Sequence, residues 1–315
     1  MDAGSGFGAR WAPSPDRPRS AQYHRPMSLV FALLAALANA VNVATQHVAS
    51  TGDPERSTGW RFVRYLISNP LWLFGAVALV AAFVFQAVAL HIGSLSVVQT
   101  LLMTELVFSL VLRRVWIRQS VSWKAWGSAL LTAAAVSVFI VAAEPRGGQA
   151  VPNSGDWVAS ILACAGVAVV LALSGLRGSP GRRAALFATS SSVIWALEST
   201  FIKAMTDTLT QHGIGGAFLR WPVYAVAVAG VAGTLLTQTA LHVGPLRASQ
   251  PFLVIVDPLV SIVLSVYLFG EYFTSDVVDL TVASISFVIL CIGVVLLTRT
   301  VPDTMGQGAA AGGAT

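Results

Sequence analysis

Charge is what this sequence has least of. Asp, Glu, Lys and Arg make up 10% of its 315 residues, where a soluble domain carries about a quarter. With 55% of the chain hydrophobic, a water-soluble globule is excluded and an integral membrane protein is indicated. Lysine is nearly missing: only Lys124 and Lys203 occur, so the basic residues are almost all Arg, as in a GC-rich bacterial genome. Cysteine appears twice, and both Cys164 and Cys291 lie inside apolar runs, which leaves no disulfide framework and no metal-ligand spacing. No GxSxG, P-loop, HExxH or CxxC sequence is present, so nucleophilic, nucleotide-driven and metal-hydrolase chemistry have no foothold. The expectation is a non-enzyme without cofactor or resident metal. The net charge of +5 sits in loops between apolar segments, where it reports membrane orientation and not a nucleic-acid partner.

Apolar length is what the sequence has in abundance. A spanning helix needs about 20 predominantly apolar residues, and nine stretches meet that, near 27–48, 70–92, 94–113, 122–143, 156–176, 183–206, 217–242, 244–268 and 276–298. Gly93 and Gly244-Pro245 break two of the boundaries into short hairpins. The polar, Pro- and Arg-rich residues 1–26 and the Gly- and Ala-rich residues 299–315 read as disordered tails. Arg56, Arg61, Arg64, Arg113, Arg114, Arg118, Lys124, Arg177, Arg182, Arg183, Arg247 and Arg299 gather on one side. That side is expected to be cytoplasmic, with the N-terminus outside and the C-terminus inside. Four arginines in residues 1–26 oppose this rule, and Met27, directly before the first span, is expected to be the true start.

One phrase is written twice. "ALHIGSLSVVQTLL" (89–102) and "ALHVGPLRASQPFL" (240–253) agree at seven of fourteen positions, 151 residues apart, where composition alone gives roughly one or two. An odd number of crossings separates the copies, so they face opposite sides. The reading is an all-α membrane protein of about nine helices: a first four-helix repeat (27–143), a linker with one helix (144–182) and an inverted second repeat (183–298). Inverted repeats build secondary transporters whose site lies near the midplane at the repeat interface.

Three acids fall inside spans: Glu105, Glu198 and Asp257. Each costs about 3 kcal/mol on insertion scales when charged. An acid held there can carry a proton and exchange it for a cationic or polar substrate; the alternative is a structural hydrogen bond to a Ser, Thr or Gln. Asn39, Asn42 and Gln46 share one face of the first helix by their spacing, Gln250, Asp257 and Ser261 share one on the eighth, and Ser191, Trp195 and Glu198 on the sixth. These stripes predict a polar cavity walled by helices one, three, six and eight, or else interhelical polar packing. Pro251 and Pro258 are expected to interrupt helix eight around Asp257, either as a hinge that frees carbonyls to line a site or as an ordinary kink with its carbonyls satisfied. His47, His91 and His242 are read as interfacial. Lys203 points about 140° away from Glu198 on an ideal helix and is expected to snorkel to the interface, while Glu271, after Gly270, is expected to cap or sit at the boundary.

With these repeats in hand, "SSVIWALESTFIKAM" (191–205) and "ALHVGPLRASQPFLVIVDPLVSIVLSVYLFGEY" (240–272) resemble the drug/metabolite transporter superfamily, in its EamA-like and small-multidrug-resistance-like repeats. "FQAVALHIGSLSVVQ" (85–99) is similar to the magnesium-transporter-like branch. The resemblance implies a proton-coupled secondary transporter of the bacterial inner membrane, monomer or homodimer, with Glu198 as the proton and substrate carboxylate. Small-molecule or cation substrate and the lipid bilayer are the expected partners. A divalent-cation permease and a non-transporting scaffold of the envelope are the alternatives.

Overall fold

The computed structural model describes residues 25–51, 68–116, 121–145, 152–244, 246–273 and 276–300. Ten helices occur among them: α1 (Arg25–Thr51), α2 (Pro70–Ile92), α3 (Leu95–Leu102), α4 (Glu105–Val115), α5 (Trp123–Ala143), α6 (Ser154–Ser174), α7 (Pro180–Ala217), α8 (Trp221–Val243), α9 (Leu246–Phe269) and α10 (Val277–Thr300). They make nine segments long and apolar enough to cross a membrane, α3 and α4 together forming one. Hydrocarbon offers the backbone no partner outside the chain, so helices that satisfy their own amides are the expected solution. The helix starts carry local signals. Asn69 accepts from the Leu71 amide ahead of Pro70, Ser122 from Ala125, and Asn153 from Asp156.

Small residues let these helices approach closely. Ala32, Ala35, Ala36 and Ala40 are buried on α1, which lies along α2; α7 lies along α8, α5 along α10, and α9 packs on α7. The centre of the bundle is α7, whose residues from Ser190 to Ile202 are almost all buried or half-buried. Between α7 and α8 the contacts run in antiparallel register, Ser191 with Thr237, Trp195 with Gly233 and Glu198 with Gly230. Both hairpin glycines sit against a helix start. A Cβ on Gly93 would run into Ser28 Oγ on α1, and one on Gly244 would run into the Pro180 carbonyl on α7. Only glycine fits there.

Three expectations are corrected. The third span is not continuous: it breaks at Met103–Thr104 into α3 and α4. No Gly or Pro marks that break, and the Thr104 hydroxyl bonds back to the Leu101 carbonyl in a tight turn. Helix eight, expected to be interrupted, is continuous from Leu246 to Phe269 with Pro251 and Pro258 inside it. A proline removes one amide and bends a helix, and packing against neighbours holds the two sides together. Helix six is longer than its apolar run and extends from Pro180 to Ala217, with a break in helical geometry at Gly213. The inner edges of both tails are also helical, Arg25 and Pro26 in α1 and Arg299 and Thr300 in α10. Residues 1–24 and 301–315 of the tails lie outside the described residues.

Candidate functional site

The polar face of α7 is turned onto α8. The Ser191 hydroxyl donates to the Gly233 carbonyl (2.9 Å) and shares a 2.6 Å bond with Thr237 Oγ1, to which Trp195 Nε1 also donates (3.1 Å). The Trp195 ring lies flat on Gly233, since a Cβ there would meet its Cε2 atom at 2.9 Å. One turn on, Glu198 Oε1 sits 3.0 Å from where a Cβ of Gly230 would stand. Gly230 is two residues from Ala232, the midpoint of the 23-residue α8. Glu198 therefore lies near the mid-length of α8, held on a seat made by an absent side chain.

Asp257 lies on α9, which packs on α7, within electrostatic reach of Glu198; Ser261, one turn along α9, donates to Asp257 Oδ1 at 3.1 Å. The Ser192 hydroxyl of α7 donates to the Phe252 and Leu253 carbonyls at 3.1 and 3.3 Å, which fixes α9 beside α7 close to its first proline. Gln250 is half-buried on α9, seven residues before Asp257.

The first half of the chain supplies a second polar pair. Asn39 Nδ2 on α1 donates to Glu105 Oε2 at 2.7 Å, and Glu105 is the first residue of α4, directly after the Met103–Thr104 break. Asn42 is buried one turn further along α1. The side chain of Gln46 lies outside the described residues. The structure thus brings Asn39 to Glu105, and Glu198 to Asp257 and Trp195. Gln99, which occupies the position of Gln250 in the first copy of the phrase, is 2% exposed, and its amide nitrogen has no partner among the described residues. A buried donor left open is costly, and it offers a place to a water or to a polar ligand atom.

A third cluster grips the hairpin between α2 and α3. Glu271, 2% exposed, follows Gly270, whose φ of 63° turns the chain after α9. Its carboxylate accepts from the Leu95 and Ser96 amides and from the Ser94 and Ser96 hydroxyls, at 2.8 and 2.6 Å for the hydroxyls. It thereby caps the N-terminus of α3, where the helix dipole favours negative charge. Lys203 Nζ donates to the Leu90 and Gly93 carbonyls, 3.0 and 2.8 Å, at the C-terminal end of α2. It is buried over the Phe269 ring, within an aromatic cluster of Phe201, Trp157 and Trp221. Lys203 does not snorkel as expected, because the α2 carbonyls replace the water it would have sought. Outside it, His91 Nδ1 lies 3.1 Å from Asp207 Oδ1.

No family model and no solved structure matches the chain. An uncharacterised protein of Corynebacterium glutamicum is 27% identical over 293 residues, covering 90% of this chain and 97% of that one. The likeness runs almost end to end and carries no activity with it.

Among the described residues, no three His, Cys, Asp or Glu side chains converge into a group that could hold a metal ion. Glu198 and Asp257 lie within electrostatic reach of each other, and the third acid, Glu105, is bonded to the Asn39 amide. Sequence reasoning missed the seats of Glu198 and Trp195: Gly230 and Gly233 look like ordinary small residues of an apolar run. Thr237 carried a signal, since Ser191 and Trp195 on the stripe both require a polar partner when buried.

Proposed function

We propose that the chain is a proton-coupled secondary transporter of the drug/metabolite transporter superfamily, which moves a small solute by alternating access. The observation that carries this reading is Glu198, seated against Gly230 near the middle of α8, one turn from Trp195 and within electrostatic reach of Asp257 on α9. Two neighbouring acids within a hydrocarbon slab need a proton or a cation between them. A site with that requirement can exchange one for the other. Trp195 adds an aromatic wall suited to an organic cation.

A duplicated architecture is supported by one offset. The displacement of 151 residues relates the two copies of the phrase, carries Gly93 to Gly244 and carries Ser28 to Ser179. Gly93 is seated on Ser28, and Gly244 on Pro180, the residue after Ser179. The helices α1 and α7, which open the two halves, thus each pack on a hairpin glycine; this supports repeats over 27–143 and 183–298, with α6 in the linker 144–182 as the crossing that inverts the second. The proposed setting is the bacterial inner membrane, with the arginine-rich side cytoplasmic.

The test is proton release from purified protein when organic cations, amino acids or magnesium are added, compared with Glu198→Gln. Release on adding an organic cation, lost in the variant, is the expected result. Magnesium binding without any proton release would replace the exchanger with a divalent-cation permease. Solute flux in vesicles that survives neutralisation of Glu105, Glu198 and Asp257 together would remove the proton-coupled mechanism.

A further inference from the structure

The α5–α10 pair lies apart from the acids. Its two helices run antiparallel and touch closely at mid-length, where a Cβ on Gly293 would stand 2.6 Å from Thr132 Oγ1, and again where the Phe139 and Phe287 rings lie 5.5 Å apart. Towards the start of α5 and the end of α10 the seam opens into a groove of about 370 Å³ lined by Lys124, Gly127, Ser128, Leu131, Leu296 and Arg299. Gly127 leaves a notch there, with nothing within 4 Å of the place its Cβ would take. Leu131 and Leu296 form the apolar body.

Among the described residues that line this groove, the charge is all of one sign. Lys124 in the first turn of α5 and Arg299 in the last turn of α10 stand at the same end. Among the described residues neither side chain has a hydrogen-bond or ion-pair partner. Trp123, 85% exposed, and Trp126 lie in the first turn of α5 beside Lys124, as aromatic rings do at the boundary between hydrocarbon and headgroup. One of the chain's only two lysines is spent here. An apolar trough that ends in two cations without a partner among the described residues matches one occupant: a lipid whose acyl chain lies along Leu131 and Leu296 and whose phosphate sits between the two cations.

We propose that the α5–α10 groove is a binding site for an anionic glycerophospholipid of the leaflet facing the arginine-rich side. The site is independent of the transport reading, because none of its residues belongs to the acid pairs.

The test is native mass spectrometry of the full chain released from vesicles that mix phosphatidylglycerol with phosphatidylethanolamine, for the wild type, Lys124→Gln/Arg299→Gln and Gly127→Leu. The wild type should retain phosphatidylglycerol selectively. The double variant should lower its retention on the order of twenty- to thirty-fold, from about one kcal/mol for each basic residue. Gly127→Leu keeps both charges and should lose the lipid by filling the notch. Equal retention of both lipids, unchanged retention in both variants, or displacement of the lipid by millimolar inorganic phosphate would each overturn the proposal. A dimer of this chain that the double variant dissolves would overturn it also, by assigning the groove to a second copy. Thermal unfolding of both variants without lipid reports whether they fold; a variant that does not is replaced by Arg299→Gln alone, for which about a five-fold loss is expected.

Discussion

Glu198 owes its position to what Gly230 lacks. A methyl group there would press to 3.0 Å from the carboxyl oxygen, and a methyl on Gly233 would press to 2.9 Å from the rigid Trp195 ring. Glu198 is a flexible chain that can swing aside, whereas Trp195 cannot move without breaking its bond to Thr237. Gly233→Ala should therefore cost about 1 to 3 kcal/mol, the usual penalty of overpacking, read as a lower unfolding midpoint in detergent. Gly230→Ala should leave that midpoint nearly unchanged and weaken proton release, because it displaces only the carboxyl. Equal effects of the two on stability would mean that Glu198 is as tightly packed as the indole. At this scale the sequence was informative about one side of each contact. Ser191, Trp195 and Glu198 share a face by spacing alone, and so do Asn39 and Asn42. The receiving surface is written in glycine, which has no side chain to announce what it accommodates.

At the scale of helices, the hairpin between α2 and α3 is held at both ends by opposite charges from the second half of the chain. Lys203 takes the carbonyls that end α2, and Glu271 takes the amides and hydroxyls that begin α3. Each charge meets the helix end whose dipole suits it. Both are buried, so removal of either leaves backbone groups unsatisfied as well as losing a charged bond. Glu271→Gln and Lys203→Met should each cost about 3 kcal/mol. The two charges hold one hairpin, so the double variant should lose less than the sum, with a coupling above about 0.5 kcal/mol in chemical denaturation. Strict additivity would mean that the two ends of the hairpin are held independently. This clamp was illegible beforehand because its members are 68 residues apart in sequence and each has an ordinary local explanation. A lysine near a span's end reads as snorkelling, and an acid after a glycine reads as a cap. The break between α3 and α4 was hidden for the opposite reason, since no Gly or Pro marks it and Thr104 and Glu105 are tolerated within a helix, while the two prolines of α9 advertised a break that does not occur.

Taken whole, the chain places its repeated phrase at two hairpins, and the question is whether they face the same water. Five membrane-length segments separate His91 from His242: Leu95–Val115, Trp123–Ala143, Ser154–Ser174, Pro180–Ala217 and Trp221–Val243. An odd count puts the two histidines on opposite sides, provided all five cross. Both are exposed and occupy matching positions of the phrase. The nine segments were legible from apolar length, because a bilayer imposes one requirement on every helix. Their facing was not, because a helix reads the same from either end and only the arginines distinguish the sides. Cysteines at the two histidines decide it. In a background with Cys164 and Cys291 replaced by Ala, intact cells treated with an impermeant maleimide should label His91→Cys, and should label His242→Cys only after the membrane is opened. The reverse pattern would keep the inversion and turn the molecule over, against its arginine count. Labelling of both from one side would mean that an even number of these segments crosses, and the inverted pair, with the alternating access built on it, would fall.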